Sequence, residues 1–173
     1  ALTYASKGRF YSKMLVYGQA GSNFTKAASE YLRYGNEGRY ISNRLRAADC
    51  LLMSGEADQV CRIITEIEKA AGDLSLDNLN KIYILKLRTS EILEPENTEN
   101  ILNSYLASIN NPTLTDWLYA ARIYIGHNKS EEALKALEMQ KVHNGVNASY
   151  HYWMGRALEL ESRYRESLAE FKE

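Results

Sequence analysis

Apolar residues recur along this chain at spacings of three and four, and hardly anywhere do apolar and polar positions simply alternate. The first spacing lines one face of a helix, whereas a half-buried strand needs the second. Helices are therefore predicted over residues 4–18, 23–35, 40–53, 56–71, 76–92, 97–109, 114–126, 130–139, 148–161 and 164–173. Breakers fall between these segments or at their ends: Gly18 and Gly21, Gly35 and Gly38, Gly55, Gly72, Pro95, Pro112, Gly126 and Gly145. Ser130, ahead of Glu131 and Glu132, reads as an N-terminal cap, as does Thr113 or Thr115 after Pro112. Their hydroxyls are placed to accept from the free N–H groups of a first turn. Ten short helices with short breaks predict an all-α protein of stacked hairpins.

The pattern also repeats. In "YHYWMGRALELESRYRESLAEF", residues 150–171, one amphipathic helix breaks near Ser162 and a second follows. Moved back until Gly155 meets Ala121, this segment aligns without gaps. His151, Met154, Gly155, Leu158, Ser167 and Phe171 then fall opposite Trp117, Ala120, Ala121, Tyr124, Ala133 and Leu137. Arg44, Ala47, Ala48, Leu51, Val60 and Ile64 keep the same spacing. So, one period earlier again, do Tyr11, Met14, Leu15, Gly18, Ala27 and Tyr31. The interval from Ala48 to Ala121 is slightly over two such periods, which leaves room for one more unit over roughly 75–110. Its register stays open, because "LNKIYILKLRTSEIL" has apolar residues on several faces. Small residues at Ala48, Ala121 and Gly155 would let paired helices approach, and Ile64, Leu137 and Phe171 would fill the next layer. A hairpin this short cannot bury its apolar face alone, so neighbours must stack.

An aromatic, a Leu-small pair and a Tyr, then Ala and Phe, recurring with this period, resembles the tetratricopeptide repeat family. Trp117, Tyr124 and Ala133 carry the likeness in one repeat, Gly155 and Phe171 in the last, and Ala27 and Tyr31 in the first. The second repeat keeps only Ala48 and apolar substitutes, and Pro112 stands close to where the family ends a repeat. The resemblance implies a right-handed superhelical stack of about five helix-turn-helix repeats. Their bounds would be about 8–40, 41–74, 75–112, 114–147 and 148–173, in a single domain spanning 1–173. It also implies that the first helices line a concave face holding a peptide or helix of another protein.

Carried over by register, the partner-binding candidates begin with Arg9, Ser12, Val16 and Gln19, followed by Ser42, Leu45, Asp49 and Leu52. Thr115, Leu118, Arg122 and Ile125 come next, and the last repeat adds Ser149, Tyr152, Arg156 and Glu159. Arg122 and Arg156 share a register in adjacent repeats, where paired guanidinium groups could hold carboxylates bidentately. Arg156 could instead pair with Glu159 one turn later. The Lys, Asn and Arg clamp of chaperone-binding members is not recognisable, since Ser12, Val16, Leu45 and Asp49 occupy such positions.

Charge sharpens this picture. The chain is nearly neutral at −1, yet residues 1–47 hold eight Lys/Arg against Glu30 and Glu37, a net of +6, and the remainder is −7. The first third would favour an acidic stretch of a partner and the rest a basic one. Within it, "YLRYGNEGRYISNRLR" interleaves Tyr31, Tyr34 and Tyr40 with Arg33, Arg39, Arg44 and Arg46, a composition that could stack on a nucleic-acid strand.

Catalytic patterns are not found. His127, His143 and His151 lack metal-site spacing, and Cys50 and Cys61 form no Cys-x-x-Cys pair, being read as free buried thiols. The glycines of "YGQAGSN" follow no strand, and Glu131, Glu132, Glu159 and Glu161 read as solvated surface. No apolar run approaches the roughly 20 residues of a bilayer span. Both ends look cut, so a fragment of a longer protein is expected. The sequence therefore argues for a non-enzymatic protein-interaction scaffold needing no cofactor or metal. Its partner would be a peptide or amphipathic helix along the concave face, with self-association or packing against flanking repeats as a further contact. The alternatives are a nucleic-acid-binding helical repeat acting through the basic N-terminal third, and a regulatory domain of a larger enzyme.

Overall fold

A computed structural model describes residues 1–70, 74–109 and 112–173, leaving aside the side chains of Leu114 and Asn144; Gly72, one of the expected breakers, lies outside this set. The described residues form ten α-helices and no strand. In order these are α1 (Leu2–Lys13), α2 (Tyr17–Arg33), α3 (Glu37–Met53), α4 (Ala57–Ala70), α5 (Leu76–Leu93), α6 (Thr98–Ser108), α7 (Leu114–Gly126), α8 (Ser130–Asn144), α9 (Ala148–Leu160) and α10 (Tyr164–Glu170). A 3₁₀ turn, Pro95–Asn97, precedes α6.

The chain divides into two compact units, Ala1–Asn97 and Thr98–Glu173. In the first, each helix from α1 to α5 packs on the next, and α3 also packs on α5. In the second, α6 to α10 do the same, and α7 also packs on α9. Packing of every other helix is what stacked hairpins produce, because first helices then lie beside first helices. The core of the first unit joins Ala28, Ile41, Ala48, Val60, Ile64, Ile67 and Ile82. In the second unit Leu102, Ala120, Ala121, Ala133, Leu137 and Ala157 are fully buried. The helix α4 shows how pattern becomes packing, with Ala57, Val60, Ile63, Ile64 and Ile67 turned inward at spacings of three and four.

Five helix ends share one closure. The N–H groups of Val16, Asn36, Glu56, Lys129 and Arg163 donate to the carbonyls of Tyr11, Tyr31, Leu51, Tyr124 and Leu158, five positions earlier, at 2.8–2.9 Å. The residue just before each donor has positive φ: Leu15, Gly35, Gly55, Asn128 and Ser162. This is the Schellman arrangement, in which one left-handed residue lets the chain reverse while satisfying a carbonyl the helix leaves free. It ends the first helix at Lys13, so Gly18 and Gly21, expected at a break, lie inside α2.

The turn also fixes the register. In three hairpins the left-handed residue lies seven positions after a small one: Gly55 after Ala48, Asn128 after Ala121 and Ser162 after Gly155. Leu15 follows Gly8 by the same count, which makes Gly8 the equivalent of Gly155. Contacts agree. A β-carbon on Gly155 would lie 2.5 Å from the Phe171 ring, sixteen positions on, and one on Gly8 would lie 2.8 Å from Phe24, also sixteen on. The expected alignment of the first repeat, centred on Leu15, is therefore seven positions late. The corrected residues Gly8, Tyr11, Ala20 and Phe24 match the family's Gly-x₂-Tyr and Ala-x₃-Phe spacing directly.

Caps and buried polar groups complete the second unit. Thr113 caps α7 in a reciprocal box with Asp116. Tyr105 of α6 donates to the same carboxylate at 2.6 Å. Burial, with that carboxylate beside it, holds the Tyr105 hydroxyl protonated well above the usual tyrosine range. Ser130 does not cap α8; Lys129 occupies that position without a side-chain bond, because the preceding turn ends there. His151 and Glu170 pair at 2.8 Å and tie α9 to α10.

Two stability experiments follow. Leu15 is exposed with φ near 57°, a conformation costing an L-residue roughly 1–2 kcal/mol. Leu15→Gly relieves that but adds unfolded-state entropy, so denaturant titration should show a gain of about 0.5–1 kcal/mol. Gly8→Ala and Gly155→Ala separate close approach from crowding. Phe24 is buried and cannot swing aside, whereas Phe171 is 41% exposed. Gly8→Ala should lose about 1 kcal/mol or more despite the better helix propensity of Ala, and Gly155→Ala should lie near neutral.

Candidate functional site

In the first unit the expected face is built by α1, α3 and α5. Two clefts of about 310 Å³ each open on it, one between α1 and α3 and one between α3 and α5. The face of α3 that borders both is set by helical spacing, with Ser42, Leu45, Arg46 and Asp49 lying within two turns. Arg46 and Asp49 line both clefts. On the α1 side stand Arg9, Ser12 and Lys13, over a floor containing Phe24 and Cys50. On the α5 side stand Asn78, Lys81, Ile84, Leu85 and Arg88.

The charges of these clefts are unequally matched. Asp49 accepts from Arg88 at 2.7 Å, and the same guanidinium reaches the Met53 sulfur. Lys81 pairs with Asp77 on its own helix. Arg9 donates to the Ser6 hydroxyl, at 3.0 Å. The Arg46 guanidinium lies 5.9 Å from the centre of the Phe24 ring. Among the described residues Arg9, Lys13 and Arg46 meet no carboxylate. The α1–α3 cleft is thus a basic pocket over an apolar floor.

Other expected residues fall as follows. Leu45 and Leu52 are buried and belong to the core, Leu45 also forming cleft floor. Gln19 lies in the first turn of α2, and Val16 is that helix's N-cap, because the register shift carries both off the first helix. The corrected register leaves Arg9 one position after Gly8, as Asp49 follows Ala48, Arg122 follows Ala121 and Arg156 follows Gly155. In the second unit α7 and α9 pack side by side. Arg122 is half-buried with its guanidinium 4.4 Å from the Tyr119 ring centre, and Leu118 is half-buried on the same helix. Arg156 pairs with Glu159 at 3.2 Å, and Tyr152 is exposed with its ring against Trp153. Arg156 is therefore engaged within its own helix, as the intrahelical reading anticipates.

The arginines of the interleaved stretch do not assemble into one strip. Arg33 pairs with Glu30, Arg44 with Glu66 of α4, and Arg39 lies over the Tyr31 ring. Of the four, Arg46 lines the two clefts described above. The residues missed by sequence reasoning are Lys13, Asn78, Lys81 and Arg88. The last three were hidden because the register of α5 was open, although their spacing of three and seven marks one polar helix face.

No group of His, Cys, Asp or Glu able to hold a metal occurs among the described residues, and no helix there is long and apolar enough to cross a membrane. Both thiols are free. Cys61 is exposed rather than buried as expected, since Ala57, Val60 and Ile64 take the inner face of α4. Burial raises the Cys50 thiol above its ordinary range, a bond with Ser12 opposes this, and the Asp49 charge adds to it. Cys61 is raised by partial burial and then by the Asp58 and Glu94 charges.

The fold has a counterpart among solved structures. It is similar to the crystal structure of the MamA protein, with a TM-score of 0.69 and 12% identity over 99% of this chain and 87% of that one. That likeness shows an all-α helical-repeat fold of the tetratricopeptide kind. No protein-family model matches the chain, and no curated protein matches it.

Thiol chemistry tests the cleft floor. With a disulfide reagent at mildly alkaline pH, Cys61 should react first and Cys50 much more slowly. Both rates should keep rising at pH values where an ordinary thiol has levelled off, because a raised pKa keeps the thiolate scarce. Cys61→Ser should leave only the slow phase; a fast Cys50 would mean an open floor.

Proposed function

We propose that this chain is a non-enzymatic interaction scaffold that holds a peptide or amphipathic helix of another protein along the face of its first helices. The observation that carries this reading is the pair of clefts in the first unit, which share Arg46 and Asp49 of α3. An apolar floor with charged side chains around it suits a segment that buries a few side chains and is oriented by its polar ones. The helical-repeat fold supports it, because within each unit stacking sets first helix beside first helix. Separation of Arg33, Arg39 and Arg44 onto different partners weighs against the nucleic-acid alternative.

Site-specific photo-cross-linking tests it in the source cell. A photoreactive residue at Ser42 of the first unit, or at Tyr152 of the second, each on a first helix, should yield adducts with a recurring segment of another protein. The same residue at Lys26 of α2 or Glu131 of α8, both on second helices, should yield few. Adducts arising equally from the second helices, or from none of these positions, would overturn the reading.

A further inference from the structure

We infer that the α1–α3 cleft of the first unit is a carboxylate-binding site, and that the segment seated there is an acidic stretch of the partner, a refinement that rests on the scaffold reading above. Three cations converge on the cleft, and among the described residues none of Arg9, Lys13 and Arg46 meets a carboxylate. The single anion there, Asp49, is already held by Arg88 from the opposite side of α3. Cations gathered around an apolar floor, with their one internal anion taken, leave an unmatched positive field that an incoming carboxylate would neutralise. Arg9 and Arg46 add the planar fork that grips carboxylates with two parallel bonds. Ser12, half-buried at the rim and bonded to Cys50, keeps an oxygen able to accept from the amides of a peptide.

The same residues favour a peptide over a nucleic-acid strand. A nucleic-acid strand carries a charge on every phosphate and would have to run them past the Asp49 carboxylate. Strand binding also uses exposed rings as stacking platforms. The aromatic ring lining this cleft, Phe24, is only 3% exposed and is covered by Gly8 and Arg46. A peptide can space its acids to meet the cations and leave Asp49 facing a neutral residue.

The test uses the whole chain and a short fluorescein-labelled poly-glutamate peptide, followed by anisotropy at moderate salt. Arg46→Glu and Arg9→Glu should each weaken binding about tenfold or more, the scale of losing a hydrogen bond to a charged group. Lys26→Glu makes the same change in net charge on α2, outside the cleft, and should stay within about twofold. Circular dichroism confirms folding, and Arg46→Gln serves if Arg46→Glu disturbs Phe24. Equal losses in all variants would show diffuse attraction and overturn the site. So would absence of measurable binding, or tighter Arg46-dependent binding of a single-stranded oligonucleotide of matched length. If poly-glutamate fails while Ser42 still cross-links to one segment lacking Asp and Glu, this inference falls and the scaffold reading stands. If Ser42 captures nothing either, both fall.

Discussion

Four of the hairpins depend on a residue without bulk standing sixteen positions ahead of a large one. Gly8 receives the ring of Phe24, Gly155 that of Phe171, and Ala48 and Ala121 are fully buried in the matching places. Close approach at that point brings two helix backbones near enough for dispersion and apolar burial to act along their length. The turn then has only one place to be, seven positions after the small residue, and the Schellman closure fits it. Packing of first helices on first helices, and the clefts between them, follow from that single spacing.

Much of this was legible in the chain. Helix existence and type came through in every segment, and the shift that superposes the last two hairpins placed Ala121 and Gly155 in equivalent settings. The first repeat went astray because two signals conflicted. Gly18 and Gly21 look like punctuation, yet they open a long helix, while the true reversal uses Leu15, a residue that ordinarily avoids positive φ. Gly-x₂-Tyr at Gly8 and Ala-x₃-Phe at Ala20 were in plain view, but they precede the next copy by more than one ordinary period. Cys61 and Ser130 illustrate a finer limit: a shift of one position along a helix turns a side chain by about 100° and decides whether it is buried or caps.

The site was less readable than the fold for a physical reason. A groove needs two helices, and its chemistry is the sum of two faces that lie a whole repeat apart in the chain. Arg46 was visible as part of a basic run, but that run is dispersed by helical rotation, sending Arg44 to α4 and Arg46 to the clefts. The excess of +6 in the first third hinted at electrostatic character without giving an address. Only the folded arrangement shows which cations are consumed by Glu30, Glu66 and Asp49, and which are left over.

The helix closures have an evolutionary side. In five joints a hydrogen bond spans a fixed interval around one left-handed residue, and in four of them its donor is also the N-cap of the following helix. Such joints have no slack: one inserted residue would forfeit both the closure and the phase of the next helix. Among the described joints, room for length variation is confined to Glu94–Asn97, with its 3₁₀ turn, and to the extended stretch after Gly145. Of the joints described, those two are where insertions and deletions in relatives of this chain should gather, sparing the five closed ones.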